Sequence, residues 1–406
     1  MDGQGRLARP SGGGAQVIAT VRQPAFWAGT ICLAAVTVAV AATRATHPAD
    51  LSPLYPPGHW RGALVAAIFV AFAAYALGLF FLTRRPGRAA PVLALVVAIQ
   101  LIPLAGPLLL STDPLVYDEW GRMSNPFVGI PGGPPVETYG PLWQLISEPI
   151  ARFRSGTYSG TFEFQLLAAA CVLAIVGFVW HLAPRRKILA IAIVGWNPFI
   201  AIHYAGGGHN DALMMVFVLA ALALASIGSP QLGGASWAAS IALKWSAAWF
   251  FILWATERWR RGKSVGAAGL LICGGVIVAV ACGIWGLTWL HALSSLSKQE
   301  KLDHPTLGMF GWLEDAGLSR NPALVLVGVL QFGALAVFAV AAWHRRLRLG
   351  LAAGFLVALA PRLDPWYALW PLALAASDDE DGWGRLLAIA LTGLLFSDVV
   401  SHLIEA

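Results

Sequence analysis

Apolar stretches of about 20 residues recur along this chain, and they decide most of what it can fold into. A helix needs roughly 20 apolar residues to cross the hydrocarbon core of a bilayer. Such stretches run over about 25–43, 61–82, 89–111, 163–183, 188–204, 211–228, 264–287, 322–343 and 384–400. None alternates with period two between regular turns, which argues against a β-barrel. Lipid offers backbone groups no partner, so helices are the remaining way to span it. Composition agrees, because 12% of the residues are charged against about 25% in a soluble domain. The expected fold is all-α: a polytopic transmembrane helical bundle of about ten membrane segments, some of them broken or re-entrant.

The formal charge of +6 reports topology, and nucleic acid is not implied. Sixteen of the 27 Lys and Arg residues fall in short clusters: Arg6, Arg9 and Arg22; Arg84, Arg85 and Arg88; Arg185, Arg186 and Lys187; Arg258, Arg260, Arg261 and Lys263; Arg345, Arg346 and Arg348. Most lie beside the ends of apolar stretches, where basic residues mark the cytoplasmic side. The N-terminus is then cytoplasmic and the protein is an integral, multi-pass plasma-membrane protein. Residues 1–16 read as a disordered tail, and 17–406 as a single transmembrane domain with external loops at about 111–160 and 288–320. The first apolar stretch lacks a convincing cleavage site and is expected to be retained. Cys32, Cys171, Cys273 and Cys282 all sit in apolar stretches without metal-like spacing and read as core residues.

Two stretches resist simple counting. Residues 236–256 are long enough to cross, yet they lead into the basic Glu257–Lys263 segment and carry Lys244 near the middle. A re-entrant hairpin with Lys244 near its tip satisfies both facts, since charge at depth is tolerated where it lines a protein cavity. Residues 351–376 are interrupted by Pro361-Arg-Leu-Asp-Pro365 and either cross or turn back, which leaves the side of Asp378–Asp381 open.

Polar residues that suit chemistry gather at one expected interface. Asp113 directly follows an apolar stretch, where a carboxylate can meet both a lipid-borne substrate and a water-soluble hydroxyl. It reads as a general base, or more simply as a helix cap or turn residue. Tyr117, Asp118, Trp120 and Arg122 follow at helical spacing, and Tyr139 re-enters the membrane through Gly140-Pro141; belt anchoring is the plainer reading of the aromatic residues, and a phosphate-facing surface position that of Arg122. In Gly206-Gly-Gly-His-Asn-Asp211 the glycines allow close backbone approach, while His209, Asn210 and Asp211 offer polar groups at a helix mouth. Asp211 also suits a cap. Lys244 needs an anionic partner, either a protein carboxylate or a lipid phosphate. Arg362 and Asp364, followed by Trp366 and Tyr367, either neutralise one another or serve the same purpose.

Several of these segments match a known pattern. Asp113-Pro-Leu-Val-Tyr117 with Trp120-Gly-Arg122 and Asn125-Pro-Phe127, Tyr139-Gly-Pro-Leu-Trp143, Gly208-His-Asn-Asp-Ala-Leu-Met214, Leu243-Lys-Trp245 and Pro365-Trp-Tyr-Ala-Leu-Trp370 occur in order. In them the chain resembles the GT-C superfamily of integral membrane glycosyltransferases, and within it the bacterial polyprenyl-phosphate-mannose-dependent α-mannosyltransferases. The resemblance implies an inverting transfer of a sugar, mannose in that family, from a polyprenyl-phosphate donor to a glycan or glycolipid acceptor on the external face. It implies Asp113 as the base. Lys244, Arg122 and Arg362 would hold the donor phosphate, and Tyr117, Asp118, Tyr139, His209, Asn210, Asp211, Trp366 and Tyr367 would position substrates. No cofactor and no metal is implied. A transporter or flippase is the competing reading, since it also uses broken helices and buried charge, although no internal repeat is visible.

Overall fold

The computed structural model describes residues 23–46, 59–128, 137–152, 161–294, 308–361 and 363–405. Among the described residues there are helices and turns and no strand. Five helices are long and apolar enough to cross a membrane: Pro24–Arg44, Trp60–Arg84, Thr161–Leu182, Ala267–Trp285 and Arg320–Trp343. A bent pair, Lys187–Gly195 and Pro198–Gly206, makes a sixth if it counts as one span. The remaining apolar stretches form shorter helices, among them Ala89–Ala105, Asp211–Ser226, Leu349–Ala358 and Gly382–Phe396. The expectation of about ten segments counted these too.

The breaks have local causes. Asn197 caps the second half of the bent pair by accepting from the Phe199 and Ile200 amides, and Pro198 cannot continue the preceding helix. The chain then winds one π-helical turn over Ile202–Gly206. At Lys244 the backbone turns extended, φ −149° and ψ 121°, separating Pro230–Leu243 from Ala247–Arg260. The stretch from Leu349 to Ala376 is likewise broken into the helices Leu349–Ala358 and Leu369–Ala376, with Pro361 and Pro365 between them.

One end of the bundle is basic. The Arg185 and Arg186 amides donate to the Asp379 carboxylate, at 2.6 and 3.3 Å to its nearer oxygens, and Arg348 pairs with Glu380 at 3.0 Å. Arg261 donates to the Arg345 carbonyl and Arg260 to that of Trp343. Asp381 caps two helices there, accepting from the Leu351 and Gly384 amides. The side of Asp378–Asp381, open in the sequence, is therefore the side of the three basic clusters at 185–187, 258–263 and 345–348.

The two broken segments now have a clear path. The first leaves the basic end near Pro230, which packs on Gly266, breaks at Lys244, and returns to Arg258, whose guanidinium donates to the Ser264 carbonyl. The second leaves beside Asp381 at Leu351, breaks at Pro361–Pro365, and returns to Asp378. Both tips meet at the opposite end. There Gly206 accepts from the Leu109 amide and the Gln165 side chain, and Asn125 bonds Thr288. Ala267–Trp285 and Arg320–Trp343 lie outermost, with side chains such as Leu271 and Phe332 exposed for lipid to cover.

Candidate active site

Asp113 opens the helix Asp113–Arg122, with Ser111 accepting from its amide at 3.1 Å. Tyr117 is one turn further along the same face and donates its hydroxyl to Asp113 Oδ2 at 3.0 Å. His209 Nδ1 meets the same oxygen at 3.0 Å. Oδ1 has no hydrogen-bond partner among the described residues, and Asp113 lines a cavity of about 360 Å³. Burial pushes the Asp113 carboxyl up. The His209 contact, the Tyr117 hydroxyl and the Lys244 charge outweigh it and hold the group below its usual range. Burial, with the Asp113 charge added, raises the hydroxyls of Tyr117 and Tyr139 well above theirs, so both remain neutral donors.

Lys244 is the one cation among the described residues lining this cavity. Its ammonium sits 2.8 and 2.9 Å from the two oxygens of Asp211, which is fully buried. Trp370 donates its indole N–H to Asp211 Oδ1 at 2.8 Å. Three aromatic faces surround the ammonium: Tyr139 at 5.3 Å, Tyr367 at 4.8 Å and Trp370 at 5.4 Å. Of the two partners the sequence left open, the protein carboxylate is present. The lysine still faces the cavity, with its charge shared rather than spent.

Gly140 holds the Tyr139 side of this box in place. Its amide donates to the Leu243 carbonyl at 3.0 Å, and a Cβ there would overlap the Ala242 carbonyl. Gly140→Ala therefore has to push the Tyr139 loop away from the Lys244 break. We expect a loss of about 1–3 kcal/mol in stability, read as a lower Tm in detergent.

The other wall of the cavity is apolar. Trp249, Leu335, Phe332 and Leu356 belong to three different helices, and Phe332 is 64% exposed on the outer surface. The space therefore runs from a polar floor at Asp113 and Lys244 to the flank of the bundle. Among the described residues no group of three or more His, Cys, Asp and Glu side chains is arranged to hold a metal ion.

The structure sorts the residues singled out in the sequence. Asp113, Tyr117, Tyr139, Lys244, Trp366 and Tyr367 line one cavity. His209, Asn210 and Asp211 are buried behind its wall and do not line it; His209 holds Asp113 and Asp211 holds Lys244. Arg122 does not reach the cavity: it pairs with Asp118, four residues earlier on the same helix, at 3.1 Å, with half its side chain exposed. The donor-phosphate role expected of Arg122 and the positioning role expected of Asp118 therefore have no geometric support. Arg362 lies outside the described residues. Thr138 is a wall residue with no signal in the sequence, and Trp245 and Trp370, which end two of the matching segments, are wall residues to which the sequence assigned no role. The spacing of Trp366, Tyr367 and Trp370 already puts three rings on adjoining faces of one short turn. Glu137, beside this wall, is buried with neither carboxylate oxygen bonded among the described residues, and burial pushes its carboxyl well up.

Two family models match the chain. One, described as "Alpha-(1->6)-mannopyranosyltransferase, N-terminal domain", covers residues 136–258, and the other, "MptB C-terminal domain", covers 301–400. These matches make the chain similar to the alpha-(1->6)-mannopyranosyltransferases. Curated relatives include alpha-(1->6)-mannopyranosyltransferase A of Mycobacterium tuberculosis, 27% identical over 66% of this chain and 63% of that protein. Another is a probable alpha-(1->6)-mannopyranosyltransferase of Mycolicibacterium smegmatis, 26% identical over 62% of this chain and 55% of that protein. The chain thus spans somewhat more than half the length of these two relatives. No solved structure matches it. The mannopyranosyltransferase models take in Tyr139, His209, Asp211, Lys244, Trp366, Tyr367 and Trp370, while Asp113 lies ahead of the first matched window. An all-helical, multi-pass, GT-C-like membrane protein is what that similarity and the long apolar helices jointly support.

Proposed function

We propose that the protein is an inverting membrane mannosyltransferase that takes its sugar from a polyprenyl-phosphate donor and passes it to a hydroxyl of a glycan or glycolipid. The observation that carries this reading is Asp113, whose Oδ1 has no partner among the described residues and whose side chain lines a cavity with Lys244 on its floor and an apolar flank that reaches the outside of the bundle. A lipid-borne phosphate needs that combination, because its tail stays in lipid while its head enters a polar pocket. The acceptor oxygen attacks the anomeric carbon opposite the phosphate, its proton passes to Asp113 Oδ1, and the C–O bond to phosphate breaks with its electron pair on the phosphate. Lys244, shared with Asp211, is the positive group for the charge that develops there. The cavity end lies away from the basic clusters, which by the positive-inside rule supports a site on the non-cytoplasmic side.

The test is transfer from synthetic polyprenyl-phosphate mannose to a mannoside acceptor by purified protein in lipid nanodiscs, with the product's anomeric configuration read by NMR. Inverted configuration is expected. Retention, or no transfer together with Asp113-independent movement of a solute across vesicles, overturns the proposal, and the second result puts a transporter in its place.

A further inference from the structure

His209 is wholly buried and fixed from several directions, none of them the cavity. Its ring stacks on Trp366, with centroids 3.8 Å apart and planes 20° from parallel. Trp366 is anchored in turn, because Tyr204 donates its hydroxyl to the Trp366 carbonyl at 2.8 Å. Gly208 takes a left-handed φ of +68°, and a Cβ there would come within 2.6 Å of Pro114 Cγ. The glycine therefore lets the His209 loop press against the residue that follows Asp113. A side chain held in this way does not reach substrate. It acts on Asp113.

The two oxygens of Asp113 are consequently unequal. Oδ2 accepts from Tyr117 and meets His209 Nδ1, while Oδ1 has no partner among the described residues, on a side chain that lines the cavity. A carboxylate with free χ2 presents either oxygen, because that torsion is broad and roughly two-fold. Two donors on one oxygen remove the freedom. Building on the transferase reading, we propose that His209 is a positioning residue for the base: its Nδ1–H, steadied by the Trp366 stack, pins Asp113 Oδ2 so that Oδ1 alone receives the acceptor's hydroxyl proton. The proton moves from the acceptor hydroxyl to Oδ1 as the new glycosidic bond forms, and His209 keeps its own proton throughout.

Removing His209 also changes what holds the carboxyl ionised. The charged and titratable groups around Asp113 are Tyr117 on its own helix, His209, Lys244 paired with Asp211, Asp364 on the cavity wall, and Tyr139 behind Tyr117. Without His209, Tyr117 is the sole direct side-chain donor among the described residues. The Asp113 carboxyl then titrates at higher pH, and the acidic limb of the rate profile moves up with it.

The experiment measures transfer from polyprenyl-phosphate mannose to a mannoside, in nanodiscs, across a pH series, for three variants. His209→Leu is expected to lower kcat about 100-fold, the scale of a small misplacement of a reacting group, with the donor KM unchanged and the acidic limb moved up. His209→Asn keeps an N–H where Nδ1 stands, and is expected to recover about tenfold of that loss and to move the limb back down. Trp366→Leu removes the stack and is expected to fall between the two. Should His209→Leu fail to assemble, the other two variants carry the comparison. An unmoved limb with unchanged kcat, or Asn and Leu variants equally impaired with the wild-type limb, overturns the assignment while leaving an active wild type as support for the transferase. A wild type that transfers nothing overturns both.

Discussion

Asp113→Asn is expected to lower turnover about 10²- to 10⁴-fold, the usual contribution of a positioned general base, while donor binding survives. The amide keeps the shape of the carboxylate. Its oxygen can still accept from Tyr117 and His209 at the Oδ2 position, so the cavity wall should keep its form. What disappears is the bare, negatively charged Oδ1. Native mass spectrometry of retained polyprenyl-phosphate mannose separates binding from turnover, and loss of both together would remove the base assignment. The pH dependence follows from the sign of the Asp113 shift. Burial works against ionisation, but His209, Tyr117 and Lys244 prevail and hold the carboxyl below its usual range. Activity in kcat/KM should therefore persist as pH falls through the ordinary carboxylate range, and drop only below it. The stabilisation that goes with this shift is likewise present above the ordinary range and lost as pH falls through the depressed value.

Lys244→Met is expected to cost about 3–5 kcal/mol, the range for breaking a buried ion pair from one side. Asp211 would be left fully buried with the Trp370 indole as its remaining side-chain donor. Adding Asp211→Asn to that variant removes the stranded charge, and thermal unfolding in detergent should recover most of the loss. Transfer should not recover, since the cavity then lacks its cation. Recovery of both would show that Lys244 serves assembly alone, and would move the phosphate-holding role elsewhere. The pair of variants thus separates stability from chemistry at one side chain.

Much of this is legible in the sequence. Hydropathy exposed the long spans because lipid imposes a single length on whatever crosses it. Lys244 marked its own break, since a cation in the middle of an apolar stretch needs a local reason. Asp113 stood out for its place at the edge of a span. The failures are equally local in origin. Arg122 looked like a phosphate ligand, yet Asp118 stands four residues before it, the spacing of a helical ion pair, and that signal was available. His209 and Asp211 were read as facing substrate because polar residues at a helix mouth ordinarily face water. Whether they point into the cavity or hold its wall depends on Trp366, Trp370 and Lys244, which arrive from remote parts of the chain. The apolar flank built from Trp249, Phe332 and Leu356 was out of reach for the same reason. No periodicity records which helices become neighbours.

The Asp211–Lys244 pair has a consequence for how the chain enters the bilayer. The two residues are 33 positions apart, at the far ends of helices Asp211–Ser226 and Pro230–Leu243, which the short Ile227–Ser229 turn joins. Moved alone to the middle of a bilayer, Lys or Asp costs about 2.5–3.5 kcal/mol on insertion scales. Threaded together as one folded unit, the carboxylate and the ammonium cross as a closed dipole with no net charge. The cation of the cavity would thus reach its depth accompanied, and a variant lacking either member should insert poorly during synthesis as well as unfold early afterwards.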